Sequence, residues 1–208
     1  MTEPTTTLTD YGLALLCAWY AWRLWSVATV TGQASVGYWA VGMAWLAAAS
    51  LAGGTVHGFS TVLTRSIAQG LWKGTVYAVG LASFFWFAGT LRASVTAPVR
   101  SWLMILPWLQ LAVFAWWMAA RDEFLFVIYD YGSMNVAILM LQFHDWYRSR
   151  VRSAPWLIAA VCVSGLAAAV QASGLSLHSR FNHNDLYHVI QMGGMYLFYR
   201  GALVLTDR

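Results

Sequence analysis

The sequence predicts an all-α integral membrane protein: one domain over residues 1–208, folded as a bundle of seven transmembrane helices with its N-terminus outside and its C-terminus in the cytoplasm. Three observations predict it. Hydrophobic residues make up 60% of the chain and charged residues 10%, more apolar surface than a single soluble core of this size buries. Charges and turn residues divide the chain into segments of the ~20 residues that a hydrocarbon layer about 30 Å thick requires. Arginine and lysine also fall unequally between alternate loops.

The first span, 11–30, follows a Thr-rich, acidic stretch from Met1 to Asp10. That stretch lacks the basic n-region and cleavage pattern of a secretory signal, so the apolar run after it is expected to stay as a helix. Within it, Arg23 either snorkels or lies under one of the rings of Tyr20, Trp22 and Trp25. The second span, 37–58, carries the small residues Ala49, Ser50, Gly53 and Gly54 and closes on His57. Small residues let helix backbones approach closely, and Gly193 and Gly194 offer the same on the last span.

The third span, 70–91, holds the one lysine, Lys73, near its start, and the fourth, 102–120, contains Pro107, which kinks or opens it. In the fifth, 124–143, Asp130 comes seven residues after Glu123, at a depth of about 10 Å for a 1.5 Å rise per residue. The sixth is 155–172. Cys17 and Cys162 both fall within apolar spans, where a thiol packs as a small hydrophobe, and no disulfide is expected. The seventh, 185–204, opens on Asn182-His183-Asn184-Asp185 and continues through His188. Trp102, Trp108, Trp116, Trp117 and Trp156 lie near span ends, as interfacial indoles do.

Orientation follows from the loops. Arg92, Arg100, Arg148, Arg150, Arg152, Arg200 and Arg208 fall on one side; Arg65, Lys73, Arg121 and Arg180 fall on the other. The richer side is cytoplasmic, which suits a multi-pass protein of the cell inner or plasma membrane. The Arg148, Arg150, Arg152 run is short and lies between two spans, so it reads as a topology and lipid-headgroup anchor, and no nucleic-acid partner is expected.

On this orientation the intramembrane polar residues gather in the outer half: His57, Asp130, His183, Asp185 and His188. Imidazoles and carboxylates at membrane depth are costly to desolvate, so a matched cluster points to a site. Three neutral imidazoles can hold a tetrahedral Zn²⁺ with an open water position, and the ion lowers the pKa of that water toward ~7. His57, His183 and His188 are the candidate zinc ligands. Asp130 or Asp185 is then the general base, or the group that orients a ligand imidazole. A site at lipid level implies membrane lipids as partners and a lipid-like amide or ester as substrate.

Each residue also has a purely structural explanation. Asp185, three after Asn182, favours the positive end of a helix dipole. His183 and His188 are five apart, about 140° around an ideal helix, and share a site only if His183 belongs to the first turn or the loop. His57 and His188 can simply bond one another between helices. Asp130 can pair with Lys73 or Arg121, or bond a tyrosine in its protonated form.

In its seven spans, with His57 on the second and His183 and His188 opening the seventh, the chain resembles the CREST group of seven-span proteins, which includes alkaline ceramidases and the progestin and adipoQ receptor family. The resemblance implies zinc held by one histidine on the second span and two on the seventh. It differs from that pattern in its His-x-x-x-x-His spacing, in Gly53 where the group has serine, and in having no aspartate on span three.

Other function classes remain alongside a zinc-dependent hydrolase: a proton-relay or transport protein using His57, Asp130, Asp185 and His188, a haem protein with His57 and His188 as axial ligands, and a structural membrane subunit without catalysis. A retinal Schiff base is excluded by the lysine-free last span. No GxGxxG, P-loop, GxSxG, HExxH or CxxC pattern in a supporting context, and no transporter-like internal repeat, points elsewhere.

Overall fold

The computed structural model describes residues 2–121, 123–178 and 181–208, and among them it is all-helical. Eight helices follow in order: α1 Pro4–Thr31, α2 Ala34–Phe59, α3 Arg65–Ser94, α4 Ala97–Leu103, α5 Ile105–Ala120, α6 Phe124–Ser149, α7 Ala154–Ser173 and α8 His183–Ala202. Six stretches are long and apolar enough to cross a membrane: α1, α2, α3, the pair α4 and α5 taken as Ala97–Ala120, α6 and α7. The more polar α8 is not among them. The outer surface carries Leu15, Trp22, Trp108, Trp116 and Met140 exposed, the inversion of a soluble surface that a lipid environment requires.

The break between α4 and α5 falls at Met104. Pro107 explains it: the ring removes the N–H that would bond the carbonyl four residues earlier, at Leu103. Arg180, placed with the outer cations, lies outside the described residues.

Helices α1, α2, α3, α6, α7 and α8 pack in a closed ring, each on the next and α8 back on α1, while α5 lies against α3 and α6 outside it. The ring's core is the stacked set of Trp39, Trp86 and Phe198 together with Tyr20 on Tyr199.

Helix α1 begins seven residues before the expected start of the first span, and the correction matters for the site. Pro4 sits at the first helical position, where its fixed φ suits helix entry and its missing N–H goes unneeded. The buried stripe Thr6, Asp10, Leu13, Cys17, Tyr20 and Leu24 then runs unbroken through the acidic stretch, with the three-and-four spacing of a helix face. The close approach expected between spans two and seven is also reassigned. Gly54 and Gly58 of α2 receive α1: a Cβ at Gly54 would stand 2.7 Å from Cβ of Asp10, and one at Gly58 would stand 2.7 Å from Oγ1 of Thr7, while Gly53 faces Thr75 of α3. Gly194 instead packs against Ser164 of α7.

Candidate functional site

The six-helix ring encloses a cavity of about 500 Å³ with a mainly apolar lining. Every ring helix contributes to it and α5 does not; its polar residues include Asp10, Ser50, His57, Thr75, Asn135, Asn184, His188 and Gln191.

His57 lies in the last turn of α2. Its Nδ1 is 3.0 Å from Oε2 of Glu3, the residue preceding α1, and the two side chains are 30% and 43% exposed. The pairing is held by the chain around it, because Thr2 N–H donates to the Gly58 carbonyl at 3.1 Å. The two atoms stand at ion-pair distance and Glu3 Oε2 has no hydrogen-bond partner; a carboxylate on the Nδ1 side favours the tautomer that leaves Nε2 as a lone pair, the form needed in a general base or a metal ligand.

His188 lies in the second turn of α8 and is buried, with 8% of its surface exposed. Its Nε2 is 3.2 Å from Oδ1 of Asp10, itself 6% exposed, and its Nδ1 is 3.0 Å from the Thr9 hydroxyl. Both ring nitrogens are therefore engaged by α1. Oδ2 of Asp10 is buried with no hydrogen-bond partner.

Of the residues singled out from the sequence, His57 and His188 share this cavity and the other three do not line it. His183 is the first residue of α8. The residue one turn before His188 on its own face is Asn184, and it lines the cavity. Asp185 is committed to a capping box: its Oδ2 accepts from Asn182 N–H at 2.7 Å, while Asn182 Oδ1 accepts from the Asn184 and Asp185 N–H groups at 2.8 and 3.3 Å. Asp130 faces α5, where the Gln110 amide donates to its Oδ1 at 3.0 Å and to its backbone carbonyl at 2.9 Å. Its partner is thus Gln110, whereas Lys73 donates to the carbonyls of Met118 and Arg121.

Zinc is tested by the donors these placements leave. Among the described residues no group of three or more His, Cys, Asp or Glu side chains is positioned to hold a metal ion. His57 and His188 supply two imidazoles to the cavity, each with a carboxylate near a ring nitrogen, as metal-bound histidines characteristically have. As placed, the donors fit zinc at His57 alone, because His188 has a nitrogen to offer only if its Nδ1 gives up the Thr9 hydroxyl.

Sequence reasoning missed Glu3, Thr9 and Asp10. The signal for Asp10 was its place on the apolar stripe of α1; Glu3 had no signal of its own beyond standing before a helix-starting proline.

No curated protein and no solved structure matches the chain. Its residues 5–207, nearly the whole length, match a family of unknown function (DUF6962), and the chain belongs to that family.

Proposed function

We propose that this protein is a seven-span enzyme of the cell membrane, N-terminus outside, that hydrolyses a lipid-like amide or ester in the cavity between its helices. One observation carries the reading: two carboxylate-bound histidines, His57 with Glu3 and His188 with Asp10, open on a single mainly apolar cavity. Apolar volume binds an acyl chain, and the histidine end supplies proton transfer. Gly132 of α6 and Gly165 of α7 line the same cavity, and a Cβ at either would meet nothing within 4 Å, which leaves room for a chain entering from lipid.

In this reading His57, oriented by Glu3, takes a proton from water as the oxygen adds to the acyl carbon. It returns that proton to the nitrogen or oxygen of the leaving group as the acyl bond breaks, giving a fatty acid and an amine or alcohol. His188, fixed at both ring nitrogens, and Asp10 form the polar wall against which the acyl head is held. A zinc ion held by His57, and by His188 Nδ1 in place of the Thr9 hydroxyl, would supply water activated near neutral pH. The resemblance to the CREST group supports this assignment through the positions of the two histidines.

The experiment is elemental analysis and lipid turnover measured together on detergent-purified protein prepared without chelators. Near-stoichiometric zinc lost in both His57→Ala and His188→Ala, together with turnover, supports the zinc-dependent form. Turnover without zinc restricts the chemistry to the imidazoles. Absence of both overturns the reading.

A second reading, proton relay, is favoured by the run of close polar contacts from Thr9 through His188 to Asp10. Proton flux into liposomes holding the protein, abolished by Asp10→Asn, would support it over hydrolysis.

A further inference from the structure

Below the histidines the cavity wall carries a second polar group, which joins three helices. The Gln191 amide nitrogen donates to the Tyr131 hydroxyl at 3.0 Å and to the Ser164 hydroxyl at 3.2 Å. The Asn135 amide nitrogen donates to the Tyr131 carbonyl at 3.0 Å. All four residues line the cavity. Both amide nitrogens are thus engaged within the protein, and both amide oxygens, Oε1 of Gln191 and Oδ1 of Asn135, are buried with no partner. The residues themselves are 3% and 8% exposed.

A buried acceptor left unpaired costs roughly 1–3 kcal/mol of desolvation, so native structures rarely keep two on one cavity without a donor to fill them. What is missing here is hydrogen-bond donation, from a hydroxyl or an N–H. The depth is set by the helix: Gln191 follows His188 by three residues, about 4.5 Å further along α8. The apolar cavity continues past it to Leu46 of α2. A ligand whose acyl carbonyl lies at the histidines therefore passes its chain by Gln191 within its first few carbons.

We infer that Gln191 and Asn135 form a specificity subsite for a hydroxyl on the acyl chain close to the carbonyl, so that the preferred ligand is a 3-hydroxyacyl amphiphile over its plain acyl counterpart. This rests on the reading of the cavity as a lipid-like acyl site.

The test compares palmitic acid with 3-hydroxypalmitic acid, both possible product analogues, by quenching of intrinsic tryptophan fluorescence in the full-length detergent-purified protein. The expected result is about tenfold tighter binding of the hydroxy acid, with the ratio falling toward one in Gln191→Leu and in Asn135→Leu. Two variants on different helices guard against a single failure to fold. Equal affinities in the wild type, no binding of either acid, or a ratio intact in both folded variants would overturn the inference. The two proposals fail separately: a hydroxyl preference without turnover of any lipid sinks hydrolysis alone, and turnover with equal binding sinks the subsite alone.

Discussion

The Nδ1 atom of His57 lies 3.0 Å from Oε2 of Glu3, joining the last turn of α2 to the residue just before α1. A carboxylate there favours a proton on Nδ1, and the contact makes the first residues of the chain part of the site.

Replacing Glu3 with glutamine removes the charge and keeps the shape. Turnover of the lipid substrate should fall roughly 10- to 100-fold, the usual penalty for losing a group that orients a working histidine. Both side chains are partly exposed, so the thermal midpoint should stay near wild type. Steady-state kinetics beside a melting curve checks both parts.

His188 and Asp10 are buried together, so the two halves of the pair should respond differently. His188→Ala leaves a buried carboxylate without its partner and should destabilise the fold by roughly 3 kcal/mol. Asp10→Asn in the His188→Ala background should restore part of that loss. Chemical unfolding of the three proteins in one detergent measures it.

Asp185 works in the capping box of α8. Asp185→Ala and Asn182→Ala should each lower stability by about 1 kcal/mol. Turnover per folded molecule in Asp185→Ala should change less than tenfold, where a general base would lose far more.

Beyond the spanning helices, Asp207 closes the other end of the bundle. Its carboxylate accepts from the Ala34 and Ser35 N–H groups at 3.1 and 2.8 Å and from Arg92 Nε at 2.8 Å. Burial opposes its ionisation, but the bonds from Ser35 and the Arg92 guanidinium outweigh that and hold it below its ordinary value of 3.8. A carboxyl depressed in the folded state contributes stability above the unfolded value, and that contribution is lost as pH falls through the folded one. Asp207→Asn should therefore melt roughly 2–4 °C below wild type at neutral pH. The gap should begin to narrow as pH falls below 3.8 and close only below the lower folded value.

The helices were legible where apolar runs end at charges, proline or glycine, and His57 and His188 were legible because an imidazole inside such a run is costly to bury. The first two turns of α1 were not, because Thr5, Thr6, Thr7 and Asp10 look like a polar tail until Pro4 and the buried stripe from Thr6 to Leu24 are taken together. Glu3 and Asp10 were lost with them. Which helices adjoin is a tertiary fact. The small residues of α2 were matched in the sequence with Gly193 and Gly194 of the last span, but Gly54 and Gly58 meet Asp10 and Thr7 of α1 and Gly53 meets Thr75 of α3. Asp130 was read as a site carboxylate because of its depth, but α5 packs outside the ring and Gln110 takes up that side chain there. His183 and Asn184 differ by one residue and about 100° of rotation, and only helix phase decides that Asn184 is on the cavity.

The central claim is that His57 and His188 act on one lipid-like substrate in one cavity. It is tested most directly by incubating wild type, His57→Ala, His188→Ala and His183→Ala with a panel of long-chain amides and esters and following released fatty acid by mass spectrometry. The account predicts turnover in wild type and His183→Ala, and its loss in His57→Ala and His188→Ala. Turnover that survives in folded His57→Ala, or wild type that releases no fatty acid from any member of the panel, would contradict it.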